Sequence, residues 1–203
     1  MSFQSVHDML TPPGIVRKQR FWDFFDGDAL RSWWNLTDVA GSGGSAAMLD
    51  EVDGGLRLSS PTVAFDSSQI DFNSINHYSQ TSAEFIAVIR KSGDTGSRMV
   101  AGLAQTTWAA SDSKVAVMYD TTGNIELRNG STDVAGSVAQ DTNWHSHKVT
   151  VSSTTTLMFT DGPLDAVNTS SLPSAALQPI FARQTNAASA KTGDIRYMEA
   201  YNT

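Results

Sequence analysis

From residue 21 onward, hydrophobic residues recur mostly at every second position and not at the 3.6-residue period of a helix. This alternation is typical of β-strands that bury one face. The segment Glu84 to Arg90 is apolar at both alternating sets of positions, which predicts a central strand covered on both sides. The pattern therefore predicts an all-β body.

Short strands separated by turns dominate the second half of the chain. Lys114 to Tyr119 and Asn124 to Arg128 both alternate, and Asn129-Gly130 predicts a hairpin turn before Thr132 to Val138. The same alternation predicts three further strands: His145 to Val151, Thr155 to Thr160 and Asp194 to Tyr201. Such closely spaced strands predict a two-sheet antiparallel sandwich or jelly roll.

The composition agrees with this fold class. The 203 residues include 25 Ser, 20 Thr and 15 Gly, and 17 Asp against only 4 Glu, a mixture that favours strands and turns over helices. Absence of cysteine excludes a disulfide-stabilised miniprotein and fits a reducing cytosol. The net charge of −7 argues against a nucleic-acid partner, because phosphate binding requires a basic face.

The first residues differ from the body. Thr11-Pro12-Pro13-Gly14 ends any preceding helix and separates an N-terminal arm, residues 1–20, from a jelly-roll domain, residues 21–203. The arm is basic, which suits docking to an acidic protein surface, and a loosely ordered terminus is the alternative. The residues expected to contact a partner are Phe3, Val6, Met9, Leu10, Ile15, Val16, Arg17, Lys18 and Arg20.

Two further features bear on location and domain number. The first ten residues have no basic stretch followed by an apolar run, and no segment has the roughly 20 apolar residues that span a membrane. We therefore expect neither a signal peptide nor a membrane partner. Gly41 to Ser45 is predicted to be a surface loop, with a domain boundary as the alternative.

Several segments resemble the concanavalin A-like lectin/glucanase superfamily, whose laminin G-like members share a jelly roll. The similar segments are Phe21 to Gly27 with Trp33-Trp34, Val52 to Leu58, Asn143 to Val151, Phe159 to Gly162, Leu177 to Phe181 and Ile195 to Tyr201. Modules of this superfamily also occur on tailed-phage virions, as capsid decoration or tail-appendage proteins. The resemblance implies a concanavalin A-like jelly-roll sandwich.

Together with the arm, the resemblance leads to a functional expectation. We expect a non-enzymatic virion surface protein, made in the host cytoplasm, that decorates or cements a capsid shell through its arm. Resemblance to such decoration proteins suggests a homo-oligomer, specifically a trimer. The alternative is a carbohydrate-binding module of a phage tail or receptor-binding appendage, with a surface glycan as its ligand.

No catalytic residues are predicted. The glucanases of the superfamily use a Glu-x-Asp-x-x-Glu strand, and this sequence contains no such string. The pairs Asp26/Asp28 and Glu51/Asp53 have suitable spacing for two carboxylates but lie beside glycines, as turn-forming residues do. His145 and His147 would share one face of a strand, where a structural role is favoured over metal binding.

Ligand-binding candidates come from aromatic and acidic residues. Adjacent strand residues point to opposite faces, so one of Trp33 and Trp34 is expected to be exposed and able to stack on a sugar. Trp108 lies in a polar loop and is a further candidate, with burial as the alternative, and Trp144 is predicted to lie in the core. Calcium is the one cofactor considered, with turn capping as the alternative role of its candidate ligands Asp23, Asp26 and Asp28.

Overall fold

The fold was analysed in a computed structural model. It describes residues 20–39, 43–60, 63, 66–91, 96–108, 113–120, 123–185 and 191–203. The arm positions Phe3, Val6, Met9, Leu10, Ile15, Val16, Arg17 and Lys18 lie outside these residues. Across the described part of the chain there is no helix of the length and apolar character needed to cross a membrane.

Fifteen β-strands account for the regular structure of the described residues. In chain order they are β1 Arg20–Asp23, β2 Asn35–Val39, β3 Ser45–Met48, β4 Leu56–Ser59, β5 Ser67–Asp71, β6 Ser82–Lys91, β7 Ser97–Ala104, β8 Lys114–Tyr119, β9 Asn124–Asn129, β10 Thr132–Ala139, β11 His145–Ser152, β12 Thr156–Thr160, β13 Leu164–Asn168, β14 Gln178–Thr185 and β15 Thr192–Asn202.

The strands form two antiparallel sheets. The eight-stranded sheet has the order β13-β12-β11-β6-β15-β4-β3, with β1 paired to β15, and the seven-stranded sheet has the order β10-β9-β8-β7-β14-β5-β2. β15 is central because it pairs with β6 along one side and with β4 and β1 along the other. The all-β jelly-roll sandwich predicted from the sequence is therefore confirmed.

The main core lies between the two sheets. Its largest fully buried apolar side chains include Tyr119, Phe85, Phe181, Leu56, Leu58, Ile70, Ile89, Met99, Leu103 and Ile125. They come from both sheets, and each alternates along its strand with residues of the outer face, as period-two patterning requires. Burial of these side chains is the main force that holds the layers together.

β6 is central, as its sequence predicts, but the expectation that it is covered on both sides is wrong. Buried residues alternate along it with partly exposed residues such as Ile86 and Val88, so its outer face meets solvent. The strands in which every residue is buried are β5 and β8 of the seven-stranded sheet. Hydrophobicity alone did not distinguish a half-exposed apolar face from a covered one.

Predicted bounds agree with the structure to within about one residue at β8, β9 and β12. The hairpin turn after β9 is shifted by one residue, because Asn129 pairs with Thr132 and leaves Gly130 and residue 131 as the turn. Gly130 has a φ of 49°, a value that glycine adopts without strain. The turn-forming glycine was thus predicted correctly, but the turn was placed one residue too early.

The structure bears on two predicted boundaries, the end of the N-terminal arm and the glycine-rich segment Gly41 to Ser45. Arg20, which the sequence analysis assigned to the arm, is the first residue of β1 and pairs with Tyr201 of β15. The segment around Gly43 follows β2 of one sheet and precedes β3 of the other sheet. It therefore connects two layers of the same sandwich, as a loop does.

Candidate functional site

The three tryptophans proposed to stack on a glycan occupy different environments. Trp33 is 46% exposed, and the guanidinium carbon of Arg31 lies 5.4 Å from the centre of its ring. Trp34 is buried among aromatic rings, including Phe25 at 5.7 Å between ring centres. The expected opposite orientation of this pair is observed, and it leaves Trp34 inaccessible to a sugar.

Trp108 is buried as well, with only 5% exposure. It lies on the outer face of the seven-stranded sheet, where its backbone N–H donates to Oε1 of Gln69 at 2.8 Å. Lys114 Nζ lies 4.6 Å from the ring centre and donates to the Trp108 carbonyl at 3.0 Å. Trp108 packs with six apolar residues of this face, which are Val100, Ala104, Ala116, Met118, Ile180 and Ala182. In this arrangement its ring is not available to a ligand.

Trp144 is not a core residue, contrary to the expectation. It is partly exposed, and two guanidinium groups lie close to its ring, with the guanidinium carbon of Arg90 at 4.4 Å and that of Arg196 at 4.2 Å from the ring centre. Cations at such distances stabilise an aromatic ring at the surface. The local sequence around Trp144 does not indicate these contacts, because Arg90 and Arg196 lie on β6 and β15.

The structure does not bring Asp23, Asp26 and Asp28 together as a calcium site. Asp23 is buried and its two carboxylate oxygens accept hydrogen bonds from Phe25 N and from Trp34 Nε1, each at 2.9 Å. Asp26 pairs with Arg31 at 2.7 Å. Within the described ranges, no group of three or more His, Asp or Glu residues could hold a metal ion. Asp23 therefore has the turn-capping role that was the alternative.

His145 and His147 have the structural environments that the sequence favoured. His147 is buried, and burial lowers the pKa of its imidazole to about 3. Burial acts against the charged form of His145 too, but hydrogen bonds to Asp161 at 2.6 Å and Asp141 at 2.9 Å outweigh it and raise the pKa. His147 is therefore a neutral core imidazole, whereas the two carboxylates beside the partly exposed His145 favour its protonated form.

An acidic cleft of about 470 Å³ lies at one end of the sandwich. It gathers the two acidic pairs identified in the sequence, since Asp26, Asp28, Glu51 and Asp53 all line it. Glu51 accepts hydrogen bonds from Arg90 at 2.7 Å and Arg196 at 2.6 Å, and these lower its pKa. A carboxyl with a lowered pKa does not donate a proton near neutral pH, so Glu51 is not suited to act as a general acid.

A second cluster of acidic residues lies on the outer face of the seven-stranded sheet, at the side formed by β8, β9 and the edge strand β10. Glu126 of β9 is partly exposed and lies opposite Met118 of β8 and Ala135 of β10. Asp120 and Asp133 are its diagonal neighbours on the two adjacent chain segments, about 7–8 Å away between Cα atoms. Each neighbour has an arginine partner, whereas no hydrogen bond or ion pair of the Glu126 carboxyl occurs among the described residues.

The ion pairs of the two aspartates are bidentate. Arg98 donates to Asp120 at 2.8 and 3.3 Å, and Arg128 Nη1 donates to both oxygens of Asp133 at 3.0 and 2.7 Å. Burial raises the pKa of Glu126, and the negative charges of Asp133 and Asp120 raise it further. The cluster thus combines one carboxyl with a raised pKa and two carboxylates that are held by arginines.

Two other glutamates differ from Glu126 in having partners. Glu84 binds Lys148 at 2.7 Å and the Tyr201 hydroxyl at 2.6 Å, and Glu199 binds Arg20 at 2.6 Å. Among the described acidic residues, Glu126 is the carboxyl whose pKa is raised, whereas those of Glu51, Asp141, Asp161 and Asp165 are lowered. Glu126 is therefore the candidate proton donor.

The alternation along Asn124 to Arg128 places Glu126 and Arg128 on the outer face of a strand, but it does not reveal the cluster. The available signal was the turn at Gly130. A two-residue turn in this register pairs Arg128 with Asp133, and it places Asp133 diagonal to Glu126. Asp120 is further from any local signal, since its position depends on the pairing of β8 with β9.

Comparison with known proteins extends this description. No family model matches the sequence, and no curated protein matches it. Solved structures do match. The catalytic domain of an endo-1,3-β-glucanase (laminarinase) from Thermotoga petrophila has a TM-score of 0.65 at 9% identity, covering 93% of this chain and 99% of that one.

Two further structures are similar over nearly their whole length. A β-glucanase from Bacillus licheniformis has a TM-score of 0.62 at 10% identity, covering 91% of this chain and 98% of that chain. A protein of unknown function from Shewanella oneidensis has a TM-score of 0.61 at 14% identity, with coverage of 100% and 95%.

These matches correct the functional expectation. The prediction of a non-enzymatic virion protein, with a phage-tail glycan-binding module as the alternative, is wrong, because the similar structures include glucanases and an endo-β-galactosidase. At 9–14% identity these structures establish the architecture of the chain. The protein has the concanavalin A-like jelly-roll fold that these glycoside hydrolases share.

Proposed function

We propose that the protein is a glycoside hydrolase that cleaves a β-linked glucan, with Glu126 as the general acid. The observation that carries the proposal is the contrast within one cluster. Glu126 has a raised pKa and no cationic partner among the described residues, whereas Asp120 and Asp133 beside it are paired with arginines. Glycoside hydrolysis requires two carboxyl groups across a sugar, one that donates a proton and one that acts as a base.

The proposed reaction assigns one role to each group. The protonated Glu126 carboxyl gives its proton to the glycosidic oxygen while the bond from that oxygen to the anomeric carbon breaks. A water molecule attacks the anomeric carbon, and its proton passes to the Asp133 carboxylate. One water is consumed per bond, and both carboxyl groups regain their starting states by proton exchange with solvent.

Asp133 is preferred to Asp120 as the base for an electrostatic reason. Its negative charge raises the pKa of Glu126 more than that of Asp120 does. Arg128 fixes the Asp133 carboxylate through two hydrogen bonds and so orients its oxygens. Similarity of the fold to β-glucanases supports the choice of a β-glucan as substrate.

The test is the release of reducing ends from laminarin and from mixed-linkage β-glucan by the purified full-length protein. Glu126→Gln should lower kcat by about 10²–10⁴-fold, since it removes the proton donor and keeps the side-chain shape. Asp133→Asn should lower kcat comparably. Asp50→Asn, which changes an exposed carboxyl outside the cluster, is the matched control and should keep wild-type activity.

The pH dependence provides an independent readout. Activity should decline on the alkaline side with an apparent pKa above the ordinary value for a glutamate, because Glu126 must be protonated. Failure of the wild-type protein to release reducing ends from either glucan would overturn the proposal. So would full activity in the Glu126→Gln variant.

A further inference from the structure

The outer face of the eight-stranded sheet carries aromatic rings that have no role in the proposed reaction. Trp22 is 52% and Phe24 is 54% exposed, and both belong to or directly follow β1. Two tyrosines of the neighbouring β15, Tyr197 and Tyr201, complete a group that we call the aromatic face. The ring centres of Phe24 and Tyr197 lie 4.9 Å apart.

Charged side chains lie among these rings. Trp22 pairs in register with Glu199, and the Arg20 guanidinium lies 5.8 Å from the ring centre of Trp22 and 5.7 Å from that of Tyr201. Tyr197 donates its hydroxyl hydrogen bond to Glu199 at 2.5 Å. Glu84, bound by Tyr201, adds a second carboxylate in the next strand.

The mixture of rings and charges distinguishes between types of partner. The centre of a protein–protein interface is depleted of charged residues, and desolvating a carboxylate there is costly. A pyranose ring has an apolar face that packs on an aromatic ring and a rim of hydroxyl groups that bind carboxylates and guanidinium groups. The aromatic face has both elements side by side, and its two tyrosine rings are oriented by hydrogen bonds from Tyr201 to Glu84 and from Tyr197 to Glu199.

Its position separates it from the proposed catalytic cluster. β1, β6 and β15 belong to the eight-stranded sheet, whereas Glu126 lies on the outer face of the seven-stranded sheet. The whole core therefore lies between the two surfaces. A single glucan segment bound at one surface does not contact the other, so a ligand on the aromatic face is held without being cleaved there.

We propose that the aromatic face is a second, non-catalytic binding site for a β-glucan chain, with Trp22 and Phe24 as the stacking residues and Glu84 and Arg20 as hydrogen-bonding partners. The buried Glu199 holds the Arg20 guanidinium in place. The class of ligand rests on the proposed function, whereas the location rests on the exposed rings and their charged neighbours. Such a site would keep the protein on a polymeric substrate.

The experiment measures binding independently of turnover. Retardation of the full-length protein in native gels containing mixed-linkage β-glucan should be lost, or the dissociation constant raised at least tenfold, in the Trp22→Ala/Phe24→Ala double variant. Both side chains are half-exposed, so the fold should be kept, which circular dichroism checks. Leu164→Ala/Val167→Ala is the matched control, because it removes two exposed apolar side chains at the far edge of the same sheet and should bind like wild type.

Each outcome separates this inference from the proposed hydrolysis. Glucan binding that needs Trp22 and Phe24 supports the second site whether or not reducing ends are released. Unchanged retardation of the double variant overturns it, as does a wild-type protein that the glucan does not retard. A dimer that dissociates in the double variant, found in place of glucan binding, would assign the face to self-association and also overturn the inference.

Discussion

The Tyr119 hydroxyl oxygen lies 2.9 Å from Nε2 of His147, and this hydrogen bond joins the two sheets inside the core. On the other side of the imidazole, Nδ1 lies 3.3 Å from Thr160 Oγ1, which itself donates to Asp165 at 2.9 Å. The Thr160 hydroxyl already donates its hydrogen to Asp165, so it can only accept a hydrogen bond from His147. Nδ1 of His147 therefore carries the proton, and Nε2 accepts the hydrogen bond from the Tyr119 hydroxyl. The network therefore assigns one neutral tautomer.

Replacing Tyr119 by phenylalanine should destabilise the protein by about 1–3 kcal/mol, since Nε2 of His147 would be buried without a donor. Urea-induced unfolding at pH 7 measures the change. Tyr201→Phe is the control, because its hydroxyl binds Glu84 at a partly exposed position where water replaces the lost donor. Equal losses in the two variants would contradict the assigned role of the buried hydrogen bond.

Stability should depend on pH with opposite signs at the two histidines. The pKa of His147 is lowered to about 3 by burial, so the unfolded chain takes up a proton as the pH falls below about 6.5 and the folded protein does not. The free energy of unfolding should therefore decrease from pH 6.5 toward pH 3. His147→Gln should flatten this acid-side slope in urea unfolding measured at several pH values.

His145 should act in the other direction. Its pKa is raised above 6.5, so its ion pairs with Asp141 and Asp161 stabilise the folded protein fully below that pH and are lost as the pH rises through the raised value. We expect His145→Asn to lower stability by about 0.5–1 kcal/mol at pH 6 and by less at pH 9. A loss that is the same at both pH values would show that the imidazolium is not the stabilising form.

Asp23→Asn should destabilise the sandwich by about 1–3 kcal/mol, because an amide cannot accept from both Phe25 N and Trp34 Nε1. The loss should be the same in calcium and in a chelator, as expected for a turn-capping residue. Asp28→Asn, at an exposed position, should change stability by less than about 0.5 kcal/mol. Calcium-dependent stabilisation that disappears in the Asp23 variant would restore the metal hypothesis.

Trp108→Ala should cost about 3–5 kcal/mol, as truncation of a buried aromatic side chain does. Trp33→Ala removes the same side chain from an exposed position and should cost less than about 1 kcal/mol. Thermal unfolding of the two variants compares them directly. A small effect at Trp108 would mean that its ring does not pack on the outer face of the seven-stranded sheet in solution.

Local pattern was sufficient for most of the strands. β8 and β9 alternate so regularly that their bounds follow from the sequence, and the glycine at position 130 marks the turn after them. What local pattern cannot supply is the neighbour across the sheet. Ile86 of β6 and Ala116 of β8 are both apolar outer-face residues, yet only Ala116 is fully buried. Trp108 and its neighbours cover Ala116 on the outer face of the seven-stranded sheet, whereas the outer face of β6 meets solvent.

The candidate site shows the same limit. Glu126 looks like an ordinary solvated strand residue in the sequence, and its raised pKa depends on two aspartates from other segments. The pairing of Arg128 with Asp133 could be derived from the hairpin, whereas Asp120 required the register of β8. Burial of Trp108 likewise depends on Gln69 of a distant strand. Chemistry that arises between strands is set by tertiary pairing, which composition does not encode.

The long strand β15 pairs with β1, β4 and β6, three segments that lie more than a hundred residues earlier in the chain. While the chain is being translated, these partners have exposed edges until β15 leaves the ribosome. Such distant pairing is slow to form and leaves edges open to wrong partners in the meantime. Completion of the eight-stranded sheet is therefore a late event in synthesis, and chaperone dependence should be greatest for chains that stop before residue 192.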